Sequence, residues 1–176
     1  MDGCEFAVRD HHGYLHSYGE GELMISSGCT MMGYLKDEQA TADVLVQHQG
    51  KIWVKTGDYG KTAEDGSVFF IERIKETIIR KGCNIYPSEI EAIIRQLPEV
   101  QDVCIVGVMS PETETEQVRA CVVAEKCCDP DKLKSRILAL CVENLPRYSV
   151  PEEICFFAQF PQTKLGKIDR KALEQF

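Results

Sequence analysis

The feature that most restricts the fold is the order in which apolar periods change along the last hundred or so residues. "YPSEIEAIIRQLPEV" sets Ile90, Ile93, Ile94 and Leu97 at helical spacing. Pro87 takes a first-turn position, Glu89 lies near the positive end of the helix dipole, and Pro98 ends the segment. "VQDVCIVGVMS" and "QVRACVVAE" then read as two strands joined by the acidic loop "PETETE". "DPDKLKSRILALCVENL" predicts a second amphipathic helix, opened by Asp129 and Pro130, with Leu133, Ile137, Leu140 and Cys141 on one face. "EEICFFAQF" reads as a third strand. Helix–strand–strand–helix–strand predicts a compact α+β domain of about 100 residues, with a mixed sheet flanked by helices.

The first part has another texture. Residues 1–72 are β-rich, with "GELMISS", "KIWVKTGD" and, after the turn "AEDG", "DGSVFFIER". Asp37 to Asp43 can carry one short helix, and Trp53, alternating with apolar neighbours in "KIWVK", is expected in a core. The boundary is expected within "ERIKE", giving domains 1–73 and 74–176. No internal repeat or low-complexity segment is visible.

Charge and cysteine usage narrow the function. A net charge of −8 argues against general nucleic-acid binding, which relies on many cations facing phosphates. No run of about 18 apolar residues predicts a membrane span, and the first residues lack the basic-then-apolar pattern of a secretory signal. The nine cysteines, at 4, 29, 83, 104, 121, 127, 128, 141 and 155, form no CxxC pair. Buried free thiols in a reducing cytoplasm are the expectation. His11, His12 and His16 are poorly spaced for a metal and read as a solvated turn, so no metal site is predicted.

Against this acidic background the tail "PQTKLGKIDRKAL" gathers Lys164, Lys167, Arg170 and Lys171, with Gly166 directly before Lys167. It is the last of five ordered stretches, after "GELMISSGCTMMGYL", "KTGDYG", "ERIKETIIRKGCNIYPSEIE" and "LPRYSVPE". Together they resemble the C-terminal part of the AMP-forming adenylating enzymes: acyl-CoA synthetases, luciferases of the firefly type and peptide-synthetase adenylation domains. The resemblance implies the last strands of a large N-terminal domain followed by the entire small, mobile C-terminal domain. It also implies an activity in two halves. A carboxylic acid is first activated as acyl-adenylate with loss of pyrophosphate, then passed to a thiol, usually that of coenzyme A.

The resemblance assigns roles residue by residue. Lys167 is implied as the catalytic cation brought to the α-phosphate as carboxylate attack builds negative charge there, which a compact ammonium on a flexible stem can stabilise. Asp58 of "KTGD" is implied to accept the ribose hydroxyls, on a tight turn that ends its strand, and Arg73 to contact the ribose or its phosphate. Lys75 holds the hinge position, where backbone angles change as the small domain swings. Gly82 would let the pantetheine arm pass, forming a CoA tunnel. Ile79 stands where some relatives place a lysine that assists the second step. Gly33 and Tyr34 form a structural turn, Glu89 and Glu91 read as helix-start and surface charges, and Lys164, Arg170 and Lys171 as surface or structural.

ATP, coenzyme A and Mg2+ are therefore implied for the full-length enzyme, with none expected bound to this chain. The phosphate loop, the magnesium-binding stretch and the acyl pocket of the large domain have no counterpart here, and no GxxxxGK[ST] is present. The chain alone is expected to be inactive, with its missing N-terminal domain as partner. Apolar surface on residues 1–72 could support a homodimer. Two alternatives stay open: an adenylation domain serving a carrier-protein thiol, and a non-catalytic binding module.

Overall fold

The computed structural model describes residues 3–111, 114–126 and 128–176. Part of the predicted "PETETE" loop, and Cys127, lie outside the described residues. The chain divides into two compact units, Met1–Lys75 and Glu76–Phe176.

The first unit is one antiparallel sheet. Strands β1 (Cys4–Arg9), β2 (Leu15–His16), β3 (Gly19–Ser27), β4 (Leu45–His48) and β5 (Lys51–Thr62) lie in the order β2-β1-β3-β5-β4. β6 (Val68–Arg73) pairs with the second half of β5. Helix α1 (Glu38–Val44) forms where Asp37 accepts a hydrogen bond from the Ala40 N–H, a side-chain N-cap. Trp53 is buried with Ala7 and Met24, as its alternating pattern predicts. Phe69 and Phe70 on β6 stay more than half exposed, at 55% and 58%.

The second unit is α+β. β9 (Val100–Met109) and β10 (Glu116–Ala124) pair antiparallel, and β11 (Glu153–Phe157) adds parallel to β10. The alternation inside "DVCIVGV" explains why the run is apolar throughout. Val103 and Ile105 join Ile90 and Ile94 of α2 (Pro87–Ile94) and Leu133, Ile137 and Cys141 of α3 (Pro130–Asn144). Cys104 and Val106 point the other way, onto Phe160 and Leu173. Both sheet faces are covered, so neither can be polar. β7 (Ile78–Arg80) and β8 (Cys83–Ile85) form a separate hairpin whose Ile78 and Ile85 enter the first of these clusters.

Three local expectations need correction. α2 ends at Ile94, not at Pro98. Bonds from the Gln96 and Leu97 N–H groups to the Ile93 and Ile94 carbonyls tighten the chain and turn Leu97 into the core. The tail is not only a loop: Asp169 accepts from the Ala172 N–H and opens helix α4 (Arg170–Glu174), which buries Leu173. Glu91 is no surface charge but is buried at 6% exposure. Thiol burial is also uneven, with Cys104, Cys121 and Cys141 buried and Cys29 exposed.

Candidate functional site

Asp58 does not end its strand. β5 continues to Thr62, and between the register pairs Glu22↔Tyr59 and Met24↔Lys55 residues 56–58 stand opposite Leu23 alone. This bulge kinks the strand and re-aims its side chains. Thr56 secures it, donating its hydroxyl to the Leu23 carbonyl (2.8 Å) while accepting from the Asp58 N–H (3.1 Å). Asp58 is thereby set directly opposite Arg73 in the β5–β6 ladder, with Arg73 Nε 2.9 Å from Asp58 Oδ1. The two residues implicated in nucleotide contact thus meet in the first unit. A carboxylate acceptor and a fork of donors at one sheet end can serve hydroxyls and a phosphate together.

Lys75 follows on the exposed turn Ile74–Glu76, as the last residue of the first unit. In the second unit, Lys81 and Gly82 form the two-residue tip of the β7–β8 hairpin, with φ of +50° and +79°. Both values are positive, the pattern of a type I′ turn, and a glycine meets it without steric cost. A Cβ on Gly82 would meet nothing within 4 Å, so the turn conformation by itself accounts for the glycine. The hairpin is held from outside by Glu116, which accepts from the Ile79 N–H (2.5 Å). Arg80 reaches the Tyr148 carbonyl (2.9 Å) and pairs with Glu152.

Lys167 stands on a closed turn. The Thr163 N–H donates to the Lys167 carbonyl (2.7 Å), the Gly166 N–H to the Thr163 carbonyl (2.9 Å), and the Lys167 N–H to Thr163 Oγ1 (3.3 Å). Gly166 takes a φ of +75°, the left-handed value this closure requires. Below the turn, Gln162 bridges Ile168 and the Asp169 N–H donates to the Pro161 carbonyl (2.8 Å). The Lys167 side chain itself is exposed and forms no ion pair among the described residues. The hydrogen bonds of the turn fix its backbone, and its side chain extends into solvent.

The AMP-binding enzyme C-terminal domain description matches residues 89–167, a span that begins in α2 and ends on Lys167. The chain belongs to the AMP-forming adenylating enzymes, as their C-terminal portion. Among curated relatives, a long-chain-fatty-acid–CoA ligase of Mycobacterium tuberculosis is 30% identical over 97% of this chain and 32% of its own length. An amide bond synthetase of Marinactinospora thermotolerans superposes with a TM-score of 0.83 at 32% identity, over 99% of this chain and 34% of that one. The o-succinylbenzoate CoA synthetase of Bacillus subtilis, in complex with its acyl-adenylate intermediate, gives 0.80 at 26% identity over 99% and 34%. The chain spans about a third of the length of the curated relatives it matches.

In this adenylating-enzyme portion, sequence reasoning overlooked the charged group under the Lys167 turn: Arg170, Glu91 and Glu76. A signal was present. Pro87, Ile90, Glu91 and Ile94 are the buried positions of α2, at spacings of three, one and three, so Glu91 occupies the apolar stripe itself. No helix among the described residues is long and apolar enough to cross a membrane.

Proposed function

We propose that this chain acts as the closing, C-terminal portion of an ATP-dependent acid–thiol ligase, which activates a carboxylic acid as acyl-adenylate and transfers it to coenzyme A. The observation that carries the reading is the Lys167 turn: a backbone locked by its own hydrogen bonds, presenting an exposed side chain that forms no ion pair among the described residues. Lys167 supplies the counter-charge as carboxylate oxygen bonds to the α-phosphorus and pyrophosphate leaves. Asp58 and Arg73 hold the ribose and its phosphate, and Lys75 is the hinge between the two half-reactions. Gly82 lies along the path of the pantetheine arm.

ATP, the acid and most of their contacts belong to the remaining two thirds of a ligase of the relatives' length. Among the described residues no three His, Cys, Asp or Glu side chains converge as a metal site. No step in this reading therefore runs through a metal held by this chain, and the magnesium of the reaction would arrive with ATP. The partner is the N-terminal body of the same ligase, and the exposed Phe69 and Phe70 belong to apolar surface available for protein contact.

The test is Lys167→Gln in the complete ligase. Carboxylate-dependent pyrophosphate release should fall by about a hundredfold to a thousandfold, the scale for loss of one preorganised charge contact. An unchanged rate would remove Lys167 from the reaction. This chain alone should release no pyrophosphate with any carboxylic acid, because its groups act only on substrates held elsewhere.

The similarity to an amide bond synthetase favours one second reading, in which an amine replaces the thiol as acceptor. Supplying the complete ligase with coenzyme A or with a primary amine, and weighing the product by mass spectrometry, separates thioester from amide.

A further inference from the structure

Arg170 stands where separate pieces of the second unit meet. Its Nη1 donates to the Ile105 carbonyl on β9 (2.7 Å), its Nη2 to Glu91 Oε1 on α2 (3.1 Å), and its Nε faces Glu76 Oε2 (3.1 Å). Glu91 is enclosed, its side chain 8% exposed, and accepts from the Ile105 N–H (3.0 Å) and from Arg95 (3.1 Å) besides Arg170. Burial lowers the pKa of Arg170, and the neighbouring Cys104, Glu91 and Glu76 side chains raise it by more, so the net shift is upward. A buried ionic group of this kind is a costly way to gain stability and is better suited to fixing one arrangement. Only a guanidinium fork reaches three acceptors lying in three directions; a lysine ammonium is a single point.

We propose that Arg170 is a positioning residue for Lys167, fastening the 161–169 turn to Glu76, α2 and β9 so that the lysine travels with a rigid body. Two residues separate it from Lys167, and the bonds Gln162–Ile168 and Asp169–Pro161 transmit its placement to the turn. Glu76 is the first residue of the second unit, directly after Lys75. The guanidinium therefore joins the lysine-bearing turn to the first residue past the proposed hinge. A swing that begins at Lys75 reaches Lys167 without slack. This assignment rests on the role given to Lys167 above.

The test reads amide hydrogen exchange of the 176-residue chain, residue by residue. Arg170→Met alone leaves two carboxylates facing each other and invites misfolding. Arg170→Lys and the double variant Glu91→Gln/Arg170→Met are therefore the informative proteins. The Gly166 and Asp169 N–H groups should exchange at least about tenfold faster, while Ala120 and Val122 on the middle strand β10 keep their protection, because local and global opening are separate events. Unchanged exchange at Gly166 and Asp169 in either folded variant overturns the proposal. So does an equal loss of protection across the sheet, which would make Arg170 a stabiliser of the whole unit. If Lys167→Gln leaves adenylation intact while the exchange result holds, the catalytic reading falls and the anchoring stands.

Discussion

Arg73 Nε lies 2.9 Å from Asp58 Oδ1, between residues that are direct partners across β5 and β6. The pair occupies the groups that nucleotide contact would use, and it is open to solvent on the arginine side, 51% exposed against 23%. An ion pair so exposed contributes only about 0–1 kcal/mol to stability. It can hold the aspartate in place and still yield to a ligand. Asp58→Asn should therefore lower the unfolding free energy of this chain, measured by urea titration, by less than about 1 kcal/mol. In the complete ligase it should weaken ATP binding measured by calorimetry. A large loss of stability with unchanged binding would make Asp58 a structural residue.

The cysteines should divide sharply in reactivity. Burial raises the thiol pKa of Cys104 and Cys121 to about 12 and that of Cys141 to about 11. Thiolate is the reactive form, so these three should resist iodoacetamide at neutral pH until the protein unfolds. Cys29 is exposed and should be labelled first. Peptide mapping after brief labelling distinguishes them, and early modification of Cys121 would contradict the packing of the sheet.

Leu133 and Ile137 were legible as core because α3 repeats them at helical spacing over 15 residues. The three strands of the β9–β10–β11 sheet were legible because both faces are buried and their apolar runs stand out. Asp58 was misplaced at a strand end because "KTGD" looks like a turn, and only the pairing with β3 shows that the residues bulge within a longer strand. The β7–β8 hairpin has three-residue strands, too short for any period to emerge. α4 is five residues long and depends on Leu173 reaching a distant strand face, which local sequence does not specify. Lys167, Asp58 and Arg73 came from ordered motifs, whereas the Arg170–Glu91–Glu76 group is a tertiary fact spanning residues 76 to 170.

Gly166→Ala tests the turn under Lys167. No neighbour lies within 4 Å of the added Cβ, so the cost is conformational: a non-glycine residue at φ +75° loses about 1–2 kcal/mol. The strain should appear as faster exchange of the Gly166-equivalent and Lys167 amides. Gly166→Asn, which enters the left-handed region more easily, should recover part of the loss. Equal protection in all three proteins would show that the turn does not need its left-handed residue.

Glu153 makes the fold respond to acid through one contact. The hydrogen bond from Arg119 Nε (2.6 Å) is the main cause that lowers its pKa below the ordinary 4.5 of a glutamate, with burial opposing it. Arg119 in turn donates to the Leu173 and Glu174 carbonyls, so this carboxylate helps hold α4 beside β10 and β11. A group bound more weakly by protons when folded stabilises above its unfolded pKa and loses that contribution as pH falls through the lowered folded value. The stability difference between wild type and Glu153→Gln should thus be constant above about pH 5.5 and shrink below pH 4.5. Half of the Glu153 side chain is exposed, so added salt should reduce the difference as well. Denaturant titrations across this pH range measure it, and a difference that grew on acidification would reverse the assigned sign.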